Sequence, residues 1–319
     1  MVGEGNELNI LGRTEQKHDF PGGAMINYSC IGQPKKGGSL SVAWWNTSLN
    51  PYGGNGCCNI DCVLQTIRKL SNENDLIGLG EIDDLVLVRR IASFCPRKMK
   101  VMPLIYNIGR ISFKTAIIYN SLRMKVDCNL GEEDRNIVKT DSAEVSGQYR
   151  VCQRVRFNVN ALHAMLDIFI VHWNQKDAPY GNERKRAAAG KLNRLAFGDD
   201  QRRLKDAVAI VMGDFNIEPW SSALWALNVS RSGDYVKKHG GFFNPFWRQM
   251  HDEVGSLNCK NVDDIKNTKA LFDFLLISSS FLSLDRFDCT ERIYGTTTYN
   301  PRRGEHSPVG IRISWRKGA

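Results

Sequence analysis

A short apolar segment that stops at a glycine and passes into two polar residues constrains this fold more than any other feature. Residues 209–212 are apolar and partly β-branched, as in a buried strand. Gly213 lets the backbone leave that strand without a steric penalty. Asp214 and Asn216 lie two residues apart and so point to one side, where both could meet one phosphate or one hard metal ion.

The same arrangement recurs at four more apolar segments, each of which ends at or contains a carboxylate, carboxamide or imidazole. The segments and their polar residues are 41–45 with Asn46, 76–80 with Glu81, 169–171 with His172, and 272–277 with Asp273. Near the C-terminus, Glu305 and His306 stand side by side before a final apolar strand. The ordered repetition, more than any one segment, indicates a functional site.

Each of these residues also has a purely structural interpretation. Asn46 is suited to capping a turn, and Glu81 to the first turn of a helix. His172 is suited to a hydrogen-bonded position in the core. Asp273 is harder to explain in this way, because a carboxylate among Phe and Leu must be paired or hydrogen-bonded to stay buried. His306 is the candidate partner.

Short apolar strands alternate with helical patterns from residue 39 onward, which predicts one mixed α/β domain without a linker. The predicted strands are 41–45, 76–80, 102–105, 116–119, 151–159, 166–171, 209–212, 272–277 and 309–314. The predicted helices are 60–70, 85–94, 182–196 and 201–207. Residues 1–38 are Gly-rich and polar and are interpreted as an N-terminal extension, with an edge strand around 25–31.

Composition limits the class of protein. The chain of 319 residues is 42% hydrophobic, which suits a domain with a real core. No segment approaches the roughly 20 apolar residues of a membrane span, and the first residues lack a signal-peptide pattern. Cys57, Cys58 and Cys62 have neither a second close pair nor a nearby histidine, which argues against zinc. We therefore expect a cytoplasmic protein with reduced core thiols.

Positive charge is concentrated in one segment. The net charge is +9, and residues 182–205 hold eight basic residues against three acidic ones. Such a surface suits nucleic acid or another polyanion, and its candidate contacts are Arg184, Lys185 and Arg186. A solvated helix face is the alternative, with Ala188, Leu192 and Leu195 facing the core. The aromatic stretch 242–247 is interpreted as packed core, with base stacking as the alternative.

The ordered series resembles the endonuclease/exonuclease/phosphatase superfamily, which includes pancreatic-type deoxyribonuclease, apurinic endonucleases and inositol-phosphate phosphatases. The matching residues are Trp45-Asn46, Gly80-Glu81-Ile82, Val171-His172, Gly213-Asp214-Phe215-Asn216 with Pro219, Phe272-Asp273-Phe274, and Glu305-His306-Ser307-Pro308. They extend over residues 41–315. The resemblance implies an α+β fold, a four-layer α/β/β/α sandwich of two packed mixed β-sheets, with the active site where the sheet ends meet. Residues 39–319 would form this catalytic domain.

The resemblance also divides the candidate residues into two sets. The metal set, for Mg²⁺ with Mn²⁺ as a substitute, is Glu81, Asn46 and Glu305. The catalytic set is His172, Asp214, Asn216, Asp273 and His306. By resemblance, Asp214 and Asn216 orient the attacking water and the phosphate. Asp273 holds His306 in one tautomer, and His172 donates to a non-bridging oxygen; the identity of the general base stays open.

Two positions depart from the family pattern. Glu305 stands where the family usually has Asp, so the charge is kept but moved by about one bond length. The phosphate-contacting Tyr or Arg found mid-chain in many members has several candidates here. They are Tyr106, Arg110, and the alternating Arg150, Arg154 and Arg156; a solvated strand face is the alternative for the last three.

Three functions are compatible with this pattern. The first is a Mg²⁺-dependent nuclease that hydrolyses DNA or RNA by metal-assisted in-line water attack, with nucleic acid contacts from Arg154 and the basic segment. The second is a phosphatase or phosphodiesterase acting on a small phosphorylated molecule or a lipid headgroup. The third is a catalytically inactive binding module, which only Glu305 favours.

Overall fold

The computed structural model describes most of the chain. The described residues are 37–49, 60–108, 111–140, 148–162, 164–173, 181–198, 207–251, 255–258, 269–284, 287–294 and 306–315. The predicted edge strand at 25–31 and residues 201–206 of one predicted helix lie outside them, so both stay predictions.

Strands dominate the described part of the chain. In chain order they are β1 (Gly38–Asn46), β2 (Leu76–Gly80), β3 (Met99–Pro103), β4 (Tyr106–Ile108), β5 (Ile111–Phe113), β6 (Thr115–Asn120), β7 (Met124–Val126), β8 (Asn136–Thr140), β9 (Gln148–Val159), β10 (Ala164–His172), β11 (Ala207–Asp214), β12 (Val229–Ser230), β13 (Phe242–Phe243), β14 (Leu257–Asn258), β15 (Lys269–Ala270), β16 (Asp273–Ser278), β17 (Asp288–Ile293) and β18 (Val309–Trp315).

Helices are fewer. They are α1 (Ile60–Glu73), α2 (Leu85–Phe94), α3 (Glu132–Arg135), α4 (Gly181–Phe197), α5 (Gly233–His239) and α6 (Ser279–Leu282), with 3₁₀ helices at Ser222–Leu227 and Pro245–His251. Helix α2 begins where the Asp84 side chain accepts a hydrogen bond from the Leu87 N–H at 2.6 Å, which satisfies one of the amides left unpaired at a helix start.

Two large mixed sheets organise the molecule. The first has the strand order β17-β18-β1-β2-β6-β3, and the second β12-β13-β16-β11-β10-β9-β7 with β8 paired to β9. Strands β1 and β2 run parallel, as do β10 and β11, while β16 and β18 run antiparallel to β11 and β1. Both sheets are therefore mixed, as the resemblance implies.

The alternation of side chains along β1 shows how the layers stack. Val42 and Trp44 join the large core between the two sheets, whereas Ala43 and Trp45 join a second core beneath α1 and α2. Helix α1 contributes its apolar stripe to the second core, and α4 packs on the far side of the second sheet through Ala188, Ala189, Leu192 and Ala196. The order of layers is helices, sheet, sheet, helices, which confirms the predicted four-layer sandwich.

Most predicted elements coincide with observed ones. The strand predicted at 102–105 is displaced, because β3 ends at Pro103, which has no N–H to extend the ladder. Ala207 begins β11 instead of ending a helix. In the aromatic stretch, Phe242 and Phe246 are fully buried, as the core interpretation requires.

Two further predictions concern the thiols and the membrane. All five described cysteines are free thiols, but Cys62 and Cys128 are exposed, so the expectation of core thiols is wrong for these two. No helix in the described part of the chain is both long and apolar enough to cross a membrane.

Candidate active site

Sheet topology brings the predicted polar residues to one edge of the sandwich. Parallel strands β1, β2, β10 and β11 end there, and the antiparallel strands β16 and β18 begin there. The residues at or next to these strand ends are Asn46, Glu81, His172, Asp214, Asp273 and His306. They are far apart in the sequence, but the directions of the strands bring them to the same edge of the sandwich.

Asp273 and His306 form a buried hydrogen-bonded pair. Nδ1 of His306 lies 2.6 Å from Oδ2 of Asp273, and the two residues are 8% and 0% exposed. Burial acts to lower the pKa of His306, but the charge and hydrogen bond of Asp273, with other nearby carboxylates, outweigh it and raise that pKa to about 9. His306 is therefore an imidazolium at neutral pH.

Asp214 is a buried carboxylate between two imidazoles. Its Oδ2 accepts a hydrogen bond from Asn46 Nδ2 at 3.1 Å, and Oδ1 accepts one from the Asn216 N–H at 2.9 Å. The Nε2 atoms of His172 and His306 each lie 3.9 Å from Oδ2. Burial, and then the charge of Asp273, raise the pKa of Asp214 to about 7. Asp214 can therefore take up or release a proton near neutral pH.

The turn after β11 is fixed by close contacts. At Gly213, where φ is +156°, a Cβ atom would lie 1.9 Å from the Val171 carbonyl oxygen, so even alanine cannot fit. Asn216 adopts a left-handed φ of 50°. Its side-chain Nδ2 donates to the Trp173 carbonyl at 2.8 Å, and its own carbonyl accepts from Lys185 Nζ at 2.9 Å. These bonds hold the Asn216 N–H against Asp214.

His172 is a neutral imidazole. Its pKa is well below the usual value because of burial and then because of the nearby Arg150 charge. Its buried Nδ1 has no hydrogen-bond partner among the described residues, while Nε2 faces Asp214. A neutral imidazole carries one N–H, so His172 can donate one hydrogen bond to a ligand.

Arg150 is brought toward the site by a β-bulge. Along β9, Cys152 pairs with Ile137 and Arg150 with Val138, so Val151 is skipped and the alternation of side chains is broken. Burial lowers the pKa of Arg150, and the charges of Asp214 and Glu81 oppose that shift, which shows that its guanidinium lies within their electrostatic reach. The expectation that Arg150 shares one strand face with Arg154 is therefore wrong.

Arg154 and Arg156 belong to a different cluster. Nη2 of Arg154 lies 2.7 Å from Oδ2 of Asp167, and Nε of Arg156 lies 2.8 Å from Oδ1. Asp167 is 0% exposed, so the two arginines neutralise a buried carboxylate. This commits the Arg154 guanidinium, a predicted nucleic-acid contact, to an interior ion pair.

The three predicted basic contacts of α4 differ in exposure. Arg186 is exposed and Arg184 half-buried, but Lys185 is only 4% exposed and bonds Asn216 as described above. Sequence reasoning missed this position of Lys185, although a signal was present. Lys185 lies three residues before the buried Ala188, on the helix face that turns toward the sheet.

The donor set suits a hard divalent cation. Glu81 follows β2 with a left-handed φ of 61°, a backbone strain of about 1–3 kcal/mol that is usually kept only where function requires it. The carboxamide Oδ1 of Asn46 accepts from the Ser48 N–H at 3.1 Å, which fixes the orientation of the amide. Carboxylate and carboxamide oxygens are ligands that Mg²⁺ accepts. Glu305, the third predicted ligand, lies outside the described residues.

A second grouping of ligand atoms is present among the described residues. Those of Asp214, Asp273 and His306 lie within 4.8 Å of one another, close enough to hold a metal ion. However, hydrogen bonds already engage Nδ1 of His306 and both oxygens of Asp273. This leaves Nε2 of His306 and the remaining lone pairs of Asp214 to face a ligand, which suits proton transfer better than metal binding.

Comparison with known structures supports the architecture. An endonuclease/exonuclease/phosphatase family protein from Bacteroides thetaiotaomicron is 14% identical, with a TM-score of 0.59 over 88% of this chain and 100% of its own. A mannosyl-6-phosphatase from the same organism is 15% identical, with a TM-score of 0.53 over 86% and 99%. D. rerio TDP2, complexed with a single-strand DNA product, is 14% identical, with a TM-score of 0.52 over 88% and 99%.

Sequence comparison identifies the family. No curated protein sequence matches the chain. A sequence model described as the Endonuclease/Exonuclease/phosphatase family matches residues 57–295, which is most of the chain. The matched range includes four of the six residues at the sheet edge, namely Glu81, His172, Asp214 and Asp273. The chain therefore belongs to the endonuclease/exonuclease/phosphatase family of phosphoester hydrolases.

Proposed function

We propose that this protein is a Mg²⁺-dependent nuclease that hydrolyses a phosphodiester of DNA or RNA by in-line attack of water. The observation that carries the proposal is Asp214, a buried carboxylate with a pKa of about 7 that lies 3.9 Å from two imidazoles of different charge. The net charge of +9 and the exposed Arg186 favour a polyanionic substrate. The similarly folded TDP2 in complex with a DNA product is consistent with it.

Each residue has a defined task in this proposal. Glu81 and Asn46, with Glu305, would hold Mg²⁺, which neutralises charge on the phosphoryl oxygens when bound. Ionised Asp214 accepts the proton of the attacking water. The imidazolium of His306 faces the developing negative charge. Neutral His172 and cationic Arg150 donate to non-bridging oxygens, and Lys185 keeps the Asn216 turn in register.

A cleavage assay tests the proposal directly. Labelled single- and double-stranded DNA and RNA are incubated with Mg²⁺ or with EDTA, using the wild type and Glu81→Ala. We expect cutting that EDTA abolishes and that Glu81→Ala loses, because the primary ligand of the ion has been removed. Cutting that survives in the purified variant would remove Glu81 from the mechanism. No cutting of any nucleic acid, with Mg²⁺ binding intact, would favour the second function below.

A phosphatase acting on a small phosphorylated molecule is the second candidate. Two of the predicted basic contacts, Arg154 and Lys185, are withdrawn into the protein, so the basic surface is narrower than the sequence suggests. The similarly folded mannosyl-6-phosphatase shows that this fold also acts on sugar phosphates.

Salt dependence separates the two candidates. If the bound protein neutralises about three phosphates, at a slope of about −0.9 per contact, duplex DNA binding should weaken roughly 40-fold between 50 and 200 mM salt. Arg186→Ala should reduce that slope by about one contact, whereas Lys69→Ala, an exposed lysine on α1, should not. Binding is followed by fluorescence anisotropy. DNA binding that does not change with salt would contradict the nuclease proposal. Binding of a small phosphorylated substrate should depend little on salt, because such a substrate releases few counterions.

A further inference from the structure

Three successive residues at the end of β1 each donate one hydrogen bond to a different member of the candidate site. The bonds are Trp44 Nε1 to Asp273 Oδ1 at 2.8 Å, Trp45 Nε1 to the His306 carbonyl at 2.9 Å, and Asn46 Nδ2 to Asp214 Oδ2 at 3.1 Å. The family pattern gives a role to Asn46, but the two indoles have none there. Trp44 is the more informative of the two, because its bond reaches a side chain and crosses from one sheet to the other.

Two glycines of β2 make room for the Trp44 indole. A Cβ atom at Gly78 would lie 2.8 Å from Cε3 of Trp44, and one at Gly80 would lie 3.0 Å from Cζ2. Met212, from the opposite sheet, approaches Gly78 in the same way, with its Cε 2.6 Å from the Cβ position. The ring therefore lies against the bare backbone of β2. Side chains at 78 and 80 would push it away from Asp273.

The Trp44 bond completes the hydrogen bonding of a carboxylate that is 0% exposed. Oδ1 of Asp273 accepts from the indole, and Oδ2 contacts Nδ1 of His306. The Asp273 N–H donates to Ser256 Oγ at 2.9 Å, which fixes the backbone. With both oxygens held, the carboxylate cannot rotate about its last bond without breaking one of the two hydrogen bonds.

We propose that Trp44 is a positioning residue, which fixes the Asp273 carboxylate so that His306 keeps Nε2 directed toward Asp214. Trp44 touches no reacting group, since Asp273 and His306 stand between it and Asp214. Removing its N–H leaves Oδ1 of Asp273 buried without that donor, and the carboxylate then gains the freedom to turn. This proposal rests on the proposed function only for its kinetic consequence.

The test compares two tryptophan-to-phenylalanine variants in the same core. Trp44→Phe keeps a ring over the two glycines and removes the N–H. Trp315→Phe makes the same change at a residue that is 1% exposed and whose indole N–H is buried without an acceptor in the described part of the chain. The second variant therefore loses ring volume but no hydrogen bond to any residue that the structure describes, and it is the matched control.

We expect Trp44→Phe to lower kcat by about 10–100-fold, the usual effect of removing a residue that orients a reacting side chain, with KM little changed. Trp315→Phe should leave kcat close to that of the wild type, because the Trp315 indole bonds no described residue of the site. Activity is measured on the nucleic acid that the wild type cuts, or on an activated phosphodiester such as bis(p-nitrophenyl) phosphate. Equal losses in both variants would overturn the proposal, because loss of ring volume alone would then explain them.

A spectroscopic measurement tests the proposal without any turnover. The Nδ1 proton of His306, held against a buried carboxylate, should give a low-field ¹H resonance in the wild type and in Trp315→Phe. In Trp44→Phe that resonance should move upfield or broaden. An unchanged resonance in Trp44→Phe would overturn the proposal, even if the substrate proves to be different from the one proposed.

If Trp44→Phe fails to fold, the wild type alone can still test the Trp44–Asp273 hydrogen bond on which the proposal rests. With ¹⁵N-labelled indoles, the Trp44 N–H should resonate at lower field than that of Trp315, because Trp44 donates to a carboxylate whereas Trp315 has no acceptor among the described residues. Coincident shifts for the two indoles would overturn the proposal.

Discussion

Asp214→Asn is expected to lower kcat by about 10²–10⁴-fold, the range usually lost with a general base, without loss of the fold. Asparagine has the shape of aspartate, and its one amide oxygen can still accept the Asn216 N–H, but its NH2 then faces the Asn46 amide donor and it cannot take a proton from water. Single-turnover cleavage by the wild type and the variant measures the effect. Lys69→Met, a substitution of similar size at an exposed residue of α1, is the control.

The pH dependence of the same variant identifies the group. The wild-type rate should rise with pH as Asp214 ionises, with a midpoint at or below about 7, since a bound cation also favours the carboxylate. Asp214→Asn should lack this rise. A rise that persists in the variant would assign the acidic limb to another group and would remove Asp214 as the base.

Stability should change in the opposite direction to activity. The folded-state pKa of Asp214, about 7, lies above the unfolded value of roughly 3.9, so its stabilising contribution is present below that value and is lost as the pH rises through 7. At pH 8 the ionised Asp214 carboxylate is buried away from water, and its hydrogen bonds within the protein replace the lost hydration only in part. Thermal melts should therefore show Asp214→Asn gaining stability relative to the wild type between pH 4 and pH 8. A large loss of stability at pH 8 would mean that the kinetic effect reports unfolding.

The architecture was readable from the sequence because strand ends carry a local signal. The segment before Asp214 and the segment before Glu81 are both short, apolar and followed at once by a carboxylate. The observed strands β11 and β2 end within one residue of those positions. Such boundaries depend on neighbouring residues alone, so a single sequence contains them.

The details that depend on distant partners were not readable. Trp44 belongs to an alternating strand, but nothing near it indicates an acceptor 229 residues away on the other sheet. Simple alternation predicts that Arg150 shares a face with Arg154, but the bulge at Val151 breaks that alternation. A bulge depends on how β8 and β9 pair, which a periodic pattern within one strand does not encode.

The charge of a residue also proved a weak guide to its position. Their charge predicts that Lys185 and Arg154 contact nucleic acid together with Arg184 and Arg186. In the structure, Lys185 bonds the Asn216 carbonyl and Arg154 bonds a buried carboxylate. Helical spacing would have separated Lys185 from Arg186, because the buried face of α4 is fixed by Ala188 and Leu192. For Arg154 the deciding partner, Asp167, lies on the adjacent strand and becomes apparent only once β9 and β10 are paired.

His306→Gln is expected to lower kcat by about 10²–10⁴-fold, through loss of the imidazolium that the proposed function places against the reacting phosphate. Glutamine keeps a polar side chain of similar reach that can still contact Asp273, but it carries no charge. The wild-type rate should fall above pH 9 as His306 loses its proton, and this fall should be absent from the residual activity of the variant. A basic limb of unchanged midpoint in His306→Gln would show that another group must be protonated.

The stability of His306→Gln gives an independent check, with a dependence on pH of the same sign as that of Asp214 but at a higher pH. The pKa of His306 rises from about 6.5 in the unfolded chain to about 9 in the folded one, so the bond to Asp273 stabilises the protonated state. The advantage of the wild type over the variant should be complete below pH 6.5 and should disappear as the pH rises through 9. Ionisation of Asp214 near pH 7 should raise the rate and lower the stability of the protein. Loss of the His306 proton near pH 9 should lower both. The proposed base and imidazolium therefore coexist between these two pH values. We expect activity to be confined to that interval, and stability to fall near pH 7 and again near pH 9. That combination would require Asp214 to be ionised and His306 to be protonated in the active protein.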